Sequence, residues 1–526
     1  MSTPTLAEFE YEIGARMARS DFIGAVAAAA ACRAAWPAQS AGWLLGSFAA
    51  LCDGRAETAL ELIEECLARD PNNLQFILQQ AECFSALGRR AEAIAAASRV
   101  SAQQDVSVAA LEAAGQVLVN MRAYREALPI YDRAVEIAPG NTTMWMNRAF
   151  MHRMLGQFDR AALDYEAVLR LSPLNGDALK GLVDLEPQTT ERNHLAALDM
   201  ALASVAPTSP DAAVLRFALA KSHEDLGQYA SSWQHLLEGN RLERARSHYD
   251  RGRDRAVIEE LIRGFPEIEA VRPDLTQERP IFIVGLPRTG TTLVERIIGS
   301  HSQVQAAGEL PALSQAISTA MNPLTGGAAR SFREFAANLR FLGAEPIALQ
   351  YLELTRPQRG SRARLADKQP TNFFYCALIL RAFPRAHIVH VTRRPLAACY
   401  AIYKTRFDAG FPFAYDLDEL ADFYAGYRRL MAHWHRVLPG RILDVAYEDI
   451  VGAQEATTRR LLEYLELPFE PACLDFHLSP EATTNRASSL QVRQPLYDTS
   501  VSQWTNYSVQ LAPLRARLES AGIAVD

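Results

Sequence analysis

A short loop between two apolar stretches carries the residues whose types and spacing most strongly suggest chemistry. Residues 281–285 read IFIVG, an apolar run typical of a buried parallel strand. Residues 286–290 form a glycine-bearing loop, and residues 291–299 then show the apolar stripe of a helix. This order creates a phosphate-binding arrangement, because backbone N–H groups and the helix dipole point at an anion held by the loop.

The spacing within the loop indicates which anion is favoured. The loop that binds nucleoside triphosphates reads G-x-x-x-x-G-K-[ST]. Gly285 and Gly290 keep its two glycines, but Thr291 stands where the lysine would be. Because that lysine neutralises the β- and γ-phosphates together with magnesium, ATP or GTP hydrolysis is disfavoured. Positive charge comes instead from Arg288, inside the loop.

Two more cationic residues follow apolar runs of strand type. Residues 387–392 (HIVHVT) end at Arg393, and Lys368 comes shortly after a predicted strand at residues 363–366. An ordinary capping or surface arginine is the alternative interpretation of Arg393. The chain contains only four lysines, so a lysine at the end of a predicted strand is informative.

Six segments occur in the order known from one enzyme family: GLPRTGTTLVERII (285–298), GE (308–309), DKQP (367–370), VTRRPLAACYAIYK (391–404), AYEDI (446–450) and SSLQVRQPLY (488–497). Together they resemble the sulfotransferases that use 3′-phosphoadenylyl sulfate (PAPS), and most closely the tyrosylprotein sulfotransferase branch. The resemblance covers residues 279–526. It implies PAPS as the donor, 3′,5′-ADP as the by-product and a P-loop-like α/β domain with a central parallel sheet.

The resemblance also assigns roles in donor binding. The loop that would hold the 5′-phosphosulfate consists of Arg288, Thr289, Gly290, Thr291 and Thr292. Arg393 would bind the 3′-phosphate, a group that the guanidinium fork suits well.

The chain departs from the family pattern at position 401. The family has a serine there that also binds the 3′-phosphate, whereas this chain has Ala401. Lys404 and Arg406 follow on the same predicted helix and are candidates to compensate. Tyr447 matches a tyrosine beside the adenine and the 3′-phosphate, although a core aromatic would fit the pattern as well. The resemblance places two residues in a loop that closes over the nucleotide, Ser488 and Arg493.

Transfer of a sulfuryl group requires a base that removes the acceptor proton as the oxygen attacks in line. The tyrosylprotein branch uses a glutamate in a Gly-Glu pair, which Glu309 matches, whereas cytosolic small-molecule sulfotransferases use a histidine. His301 is the competing candidate, and a structural role at a helix terminus is its alternative. A salt-bridged surface carboxylate is the alternative for Glu309. Lys368 matches the lysine that stabilises charge on the bridging oxygen.

No metal site is predicted. The transferred group carries less charge than a γ-phosphoryl group, and the sequence has neither an HExxH motif nor clustered ligands. His433 and His435 are two positions apart on a predicted helix, and residues at that spacing do not share a helix face.

The first half of the chain is periodic. Pro37, Pro71, Pro139 and Pro173 fall in steps of 34 residues or twice that number. Small residues keep the same period, namely Gly54, Gly88 and Gly156, with Arg122 in the equivalent place, and Ala59, Ala93, Ala127 and Ala161. The pattern resembles tetratricopeptide repeats, whose stacked helix pairs bind peptides or partner proteins. After Pro173 the pattern drifts, and a further unit that begins at Pro210 ends near residue 245. Bacterial proteins that join such repeats to this sulfotransferase domain resemble the whole chain.

Composition limits the other functional classes. There are 54 Lys and Arg residues against 61 Asp and Glu, a net charge of −7, which argues against a nucleic-acid partner. No run of about 20 apolar residues predicts a membrane span. Residues 22–31 are apolar, but acidic residues precede them where a signal peptide is positive. The seven cysteines include no CxxC pair, so a reducing cytoplasm fits best.

These observations predict three parts: a helical repeat solenoid at 1–245, a linker at 246–278 and a sulfotransferase domain at 279–526. The arginine-rich stretch 241–255 is either a solvated helix face or a track for an acidic substrate. The predicted activity is sulfuryl transfer from PAPS to a hydroxyl, and the favoured acceptor is a peptide or protein tyrosine recruited by the repeats. A carbohydrate or small hydroxylated metabolite is the alternative acceptor. A scaffold with an inactive sulfotransferase-like domain is the alternative from another class.

Overall fold

The computed structural model describes residues 4–267, 276–325, 331–360, 362–407, 410–479, 493–496 and 498–525. The chain divides into two compact units, Met1–Ala167 (the first unit) and Val168–Asp526 (the second unit). The first is helical, and the second joins five further helices to an α/β domain. Among the described helices, none combines the length and the apolar content needed to cross a membrane.

The first unit is built from consecutive helices in which neighbours pack in pairs. They are α1 (Leu6–Ala18), α2 (Phe22–Ala35), α3 (Ala41–Cys52), α4 (Ala56–Arg69), α5 (Leu74–Ala86), α6 (Arg90–Ser101), α7 (Val108–Asn120), α8 (Tyr124–Ile137), α9 (Thr142–Met154) and α10 (Phe158–Leu171), the unit boundary falling inside α10.

The second unit begins with helices of the same kind, α11 (Gly176–Leu185), α12 (Leu195–Ser204), α13 (Pro210–Asp225), α14 (Tyr229–Arg246) and α15 (Arg251–Gly264).

The first helix of each pair keeps the 34-residue period beyond Pro173, whereas the second helices α10 and α12 begin 37 residues apart, at Phe158 and Leu195. The N-cap residues Asn73, Ser107, Asn141, Asn175 and Ser209 each accept a hydrogen bond from the first turn of the helix that follows, and they are spaced by 34 residues throughout. The spacing of prolines misled the sequence interpretation, because Pro210 lies at the first helical position, whereas Pro71, Pro139 and Pro173 lie two residues before the cap.

The α/β domain contains a parallel sheet. Its strands within the described residues are β1 (Ile281–Gly285), β2 (Val304–Gly308), β3 (Arg364–Asp367), β4 (His387–Thr392) and β5 (Ile442–Ala446), in the spatial order β2-β3-β1-β4-β5. Strand β1 is fully buried and pairs with β3 on one side and β4 on the other. This confirms the predicted fold class of a helical repeat region followed by an α/β domain with a parallel sheet.

Helices cover the sheet and connect its strands. They are α16 (Thr291–Gly299), α17 (Ala312–Thr325), α18 (Phe332–Asn338), α19 (Ala344–Thr355), α20 (Cys376–Ala382), α21 (Pro395–Tyr403), α22 (Leu417–Val437), α23 (Tyr447–Gly452), α24 (Gln454–Tyr464), α25 (Thr499–Ser502) and α26 (Ala512–Ser520).

Short 3₁₀ turns complete the described elements. They span Leu339–Phe341, Arg356–Gln358, Pro370–Tyr375, Pro412–Tyr415, Pro471–Cys473, Phe476–Leu478 and Gln503–Tyr507.

The stretch predicted as a linker, 246–278, has a helix in its described part. It contains α15, whose Ile258 and Leu261 are buried in the core of the second unit, and Phe265 accepts a hydrogen bond from His433 on α22. The compact unit therefore begins at Val168 rather than at 279, because α13 and α14 contribute Phe217 and Trp233 to the same core.

The arginines of 241–255 form ion pairs within the protein. Arg244 binds Glu419 through two hydrogen bonds of 2.6 and 2.8 Å, and Arg251 contacts Asp422 at 3.4 Å. The positive charges of these two arginines are thus paired with carboxylates of the protein, whereas a track for acidic substrates would need them unpaired.

Candidate active site

The carboxyl ends of all five described strands meet at one edge of the sheet, and each is followed by a predicted site residue. Arg288 follows β1, Glu309 follows β2, Lys368 follows β3, Arg393 follows β4 and Tyr447 follows β5. Ligands of open α/β sheets bind at this edge, beside the point where the chain reverses its direction of winding. The fold therefore explains why residues scattered over 160 positions of sequence belong together.

The loop after β1 turns tightly into α16. Arg288 adopts a φ of +64° and Gly290 a φ of +102°, and the Thr289 hydroxyl donates to the Leu286 carbonyl at 2.8 Å. A Cβ on Gly290 would lie 2.6 Å from Cδ2 of Tyr447, and one on Gly285 would lie 2.6 Å from the Val391 carbonyl oxygen. Glycine is required at these two places by space as well as by backbone conformation.

This loop leads into a helix N-terminus suited to an anion. Thr291 and Thr292 are buried in the first turn of α16, where the leading N–H groups have no partner within a helix. The predicted phosphosulfate loop therefore has the conformation that its sequence suggested.

Arg393 contacts both the loop after β1 and Tyr447, the residue that follows β5. Its Nη1 donates to the Arg288 carbonyl at 3.0 Å, its Nη2 donates to the Ser500 carbonyl, and its guanidinium lies 4.9 Å from the ring centroid of Tyr447. The hydroxyls of Tyr447 and Ser500 are 2.6 Å apart. The structure thus brings Arg288, Arg393 and Tyr447 together and adds Ser500.

Sequence reasoning missed Ser500. It lies on α25, outside every segment that carried the resemblance, and no motif singles it out. Its carbonyl accepts from the arginine predicted to bind the 3′-phosphate and its hydroxyl meets that of Tyr447, in a chain that lacks the usual serine at position 401.

Glu309 and Lys368 form the second part of the site. Lys368 Nζ donates to Glu309 Oε1 at 2.5 Å, and the lysine side chain is fully buried while that of Glu309 is 31% exposed. Lys368 Nζ also lies 3.9 Å from Glu295 Oε2, and Glu295 Oε1 accepts from the Gly308 N–H at 2.7 Å. The carboxylate of Glu309 is held by a buried cation yet remains accessible to a ligand.

His301, the competing base, is committed to the fold. It is fully buried, its Nδ1 accepts from the Gln303 N–H at 3.0 Å, and its Nε2 donates to the Pro468 carbonyl at 3.0 Å. Since both ring nitrogens are engaged, this geometry favours Glu309 over His301.

The candidates for compensating Ala401 differ in their surroundings. Arg406 Nε donates to Glu243 on α14 at 2.7 Å, so its charge is directed to the helical part of the unit. Lys404 Nζ donates to Glu224 on α13 at 2.7 Å and to Gln503 at 2.8 Å.

Lys404 nevertheless belongs to the same cationic cluster as the site arginines. Burial lowers its pKa, Glu224 opposes this change, and the charges of Arg288 and Arg393 lower the pKa further. Burial alone would raise the pKa of Glu224, but Lys404 and the Tyr400 hydroxyl outweigh burial and hold it below its usual value. Helix α13 thereby braces α21, the helix that follows Arg393 and contains the buried Ala401.

The predicted closing loop is only partly described. Ser488 lies outside the described residues. Arg493 is half-buried, and burial together with the nearby charge of Arg296 lowers its pKa. Arg296, on α16, donates to the carbonyls of Phe476 and Ser479.

The fold also creates a side-chain cluster that the sequence did not indicate. Asp444 Oδ1 lies 2.7 Å from His390 Nδ1 and 3.0 Å from His435 Nε2. In the described part of the chain these atoms are close enough together to be considered as metal ligands. Two hydrogen bonds to one carboxylate oxygen account for the arrangement, and His433 is not part of it.

The fold and the site define a P-loop-like α/β domain that follows helical repeats in the chain, with cationic residues near a tight loop suited to an anion. Comparison with known proteins gives this domain its family: residues 280–471 match the sulfotransferase family model, and residues 50–115 match a tetratricopeptide repeat model. The chain therefore contains a sulfotransferase domain preceded by tetratricopeptide repeats.

Individual relatives are distant. An uncharacterized protein of Aquifex aeolicus is 29% identical over 407 residues, which are 76% of this chain and 53% of that protein. A protein-tyrosine sulfotransferase of Drosophila melanogaster is 23% identical over 241 residues, 43% of this chain and 46% of that protein. The chain thus spans about half the length of these two relatives. A solved sulfotransferase domain of the curacin biosynthetic pathway is 18% identical with a TM-score of 0.34, covering 47% of this chain and 99% of that one.

Proposed function

We propose that this protein transfers the sulfuryl group of PAPS to a hydroxyl acceptor by in-line displacement. The observation that carries the proposal is that Arg288, Glu309, Lys368 and Arg393 all follow strands at one edge of the sheet. Within this group, Lys368 Nζ lies 2.5 Å from Glu309 Oε1. The residues fit the donor, because the loop is kept free of a Cβ at Gly285 and Gly290 and its cations suit a ligand with two anionic ends.

The chain's own residues divide the work. The loop 288–292 would hold the phosphosulfate, while Arg393, Tyr447 and Ser500 would hold the 3′-phosphate. PAPS supplies the activated sulfuryl group, and its S–O bond to the 5′-phosphate breaks as the acceptor oxygen bonds to sulfur. Glu309 takes the acceptor proton. Lys368 holds that carboxylate and places a positive charge where the bridging oxygen becomes negative.

A tyrosine of a peptide or protein is the acceptor we favour, because curated relatives are named protein-tyrosine sulfotransferases and helical repeats commonly bind polypeptides. A carbohydrate or small hydroxylated metabolite is the second candidate acceptor. A purely scaffolding role is disfavoured by the intact Glu309–Lys368 pair. All seven cysteines fall in described ranges and are free, which supports a reducing, cytoplasmic location as part of the proposal.

The direct test is to incubate the protein with ³⁵S-labelled PAPS and a lysate of its source cells, and to identify labelled products by mass spectrometry. Lys368→Met should abolish labelling. Lys221→Met is the matched control, because Lys221 pairs with Asp225 within α13 and belongs to none of the proposed site segments. Transfer to a polypeptide tyrosine supports the proposal in full, transfer to a sugar or metabolite corrects the acceptor, and no labelled product contradicts the activity.

A further inference from the structure

A cavity of about 380 Å³ opens beside the start of the phosphosulfate loop. Leu286 and Pro287, the residues just before Arg288, form part of its lining. Thr371 and Phe373, which follow Lys368 closely in the chain, form another part. The cavity therefore adjoins the two segments that carry the cations of the proposed transfer step.

Aromatic side chains form another part of the lining. Phe413 stacks on Phe423 with ring centroids 3.6 Å apart, and Phe411 meets Phe413 edge-on at 6.0 Å. Tyr249 reaches the same cluster, its ring centroid 6.3 Å from that of Phe413. Such walls bind flat apolar groups by offset or edge-to-face contacts.

The remaining wall comes from residues 247–254, which lie outside the residues matched by the sulfotransferase family model. This segment is held firmly. Arg244 donates to the carbonyls of Ser247 (2.9 Å) and Tyr249 (3.3 Å) while it is paired with Glu419 on α22. Tyr249 and Asp254 share a side-chain hydrogen bond at the cavity wall. Burial and the Asp254 carboxylate raise the pKa of Tyr249, and burial raises the pKa of Asp254.

The volume and lining restrict what can enter. At about 380 Å³ the cavity is near the lower end of ligand pockets, so it suits one ring-bearing group and not an oligosaccharide.

We propose that this cavity is the acceptor pocket, that it takes the ring of a phenolic acceptor, and that residues 247–254 are its specificity-determining wall. The inference rests on the proposed sulfotransferase function and adds a residue segment and a substrate chemistry to it. Phenolic acceptors include a peptide tyrosine and a free phenol, and both share the ring that the pocket recognises.

The test uses two acceptor probes that differ in the group bearing the hydroxyl, N-acetyltyrosinamide and N-acetylserinamide, each with PAPS and full-length protein. Calorimetry with 3′,5′-ADP is performed first on the same preparation. We expect kcat/KM for the tyrosine probe to exceed that for the serine probe by about tenfold or more, because the ring fills the pocket.

Two variants examine the wall directly. Phe411→Ala should raise KM for the tyrosine probe about tenfold. Ser247→Trp should reduce transfer by filling the cavity from its 247–254 side. Both should keep the 3′,5′-ADP affinity of the unaltered protein, which shows that they fold. Phe341→Ala, at a ring that is 60% exposed and not part of the cavity lining, is the matched control and should change nothing.

The outcomes separate the two proposals. Absence of 3′,5′-ADP binding overturns the sulfotransferase function and the pocket with it. Tight 3′,5′-ADP binding with equal rates on both probes, with no transfer to either, or with wall variants that behave like Phe341→Ala, overturns the pocket assignment alone.

Discussion

Glycines serve different purposes in the first unit and at the sheet edge of the second. Gly54 closes a repeat helix with a φ of +78°, and a Cβ there would meet nothing within 4 Å. Arg122 occupies the equivalent turn of another repeat with a φ of +56°. Gly290 also has a positive φ, but a Cβ would strike Tyr447. At the repeat turns glycine is favoured only because φ is positive, and another residue can adopt that φ with some strain. In the loop, glycine also leaves space beside a proposed ligand site.

The largest expected effect concerns the chemistry at that edge. Glu309→Gln should lower turnover by about 10²–10⁴, because the amide cannot accept the acceptor proton. Affinity for 3′,5′-ADP should stay the same, as measured by calorimetry, since Glu309 follows β2 and is proposed to act on the acceptor proton and not on the donor. Near-normal turnover would remove Glu309 from the role of base.

A pair of glycine substitutions tests the comparison itself. Gly54→Ala should cost roughly 1–2 kcal/mol of local stability, the strain of a non-glycine residue at positive φ. Gly290→Ala should cost that amount plus about 1–3 kcal/mol of overpacking, because Ser500 and Arg393 hold the Tyr447 ring in place. Hydrogen exchange of peptides that cover α3 and α16 measures each site separately. Equal losses of local stability at Gly54 and Gly290 would show that the two glycines serve the same purpose.

Arg288→Ala should weaken binding of PAPS more than binding of any acceptor. Charge-assisted contacts of this kind contribute about 1.5–3 kcal/mol. Calorimetric titration with 3′,5′-ADP and PAPS measures the loss. Unchanged affinity for PAPS would mean that the loop does not bind the phosphosulfate.

The smallest effect is expected at the position where the family pattern is broken. Ala401→Ser adds one hydroxyl and should tighten 3′,5′-ADP by about 0.5–1.5 kcal/mol, or by less if Ser500 already serves the phosphate. Ser500→Ala supplies the comparison: the gain from Ala401→Ser should be larger in that background. Weaker binding of the Ala401→Ser variant would show that position 401 does not face the nucleotide.

Local signals predicted much of this molecule. A strand, a tight loop and a helix follow one another within 20 residues, so the conformation around Gly290 could be inferred from the sequence alone. The 34-residue period could be inferred for the same reason, although helix caps followed it more faithfully than prolines did, as Ser209 and Pro210 show.

The contacts that the sequence did not indicate join distant positions. Glu224 pairs with Lys404 across 180 residues, and Asp444 meets His390 across 54. No local sequence pattern predicts such pairs, because each residue fits the pattern of its own helix or strand and its partner lies far away in the chain. The sequence allowed a solvated helix face at 241–255, but it did not indicate that α15 is packed into a core, because its few apolar side chains became decisive only once α22 lay against them.

The most direct test of the central claim is a calorimetric titration with three nucleotides, 3′,5′-ADP, 5′-ADP and magnesium–ATP. If the loop and Arg393 bind the two ends of PAPS, 3′,5′-ADP should bind without magnesium and at least about tenfold more tightly than 5′-ADP, and Arg393→Ala should abolish the difference. Equal affinity for 3′,5′-ADP and 5′-ADP, or a preference for magnesium–ATP, would contradict the assignment of this sheet edge as a sulfuryl-donor site.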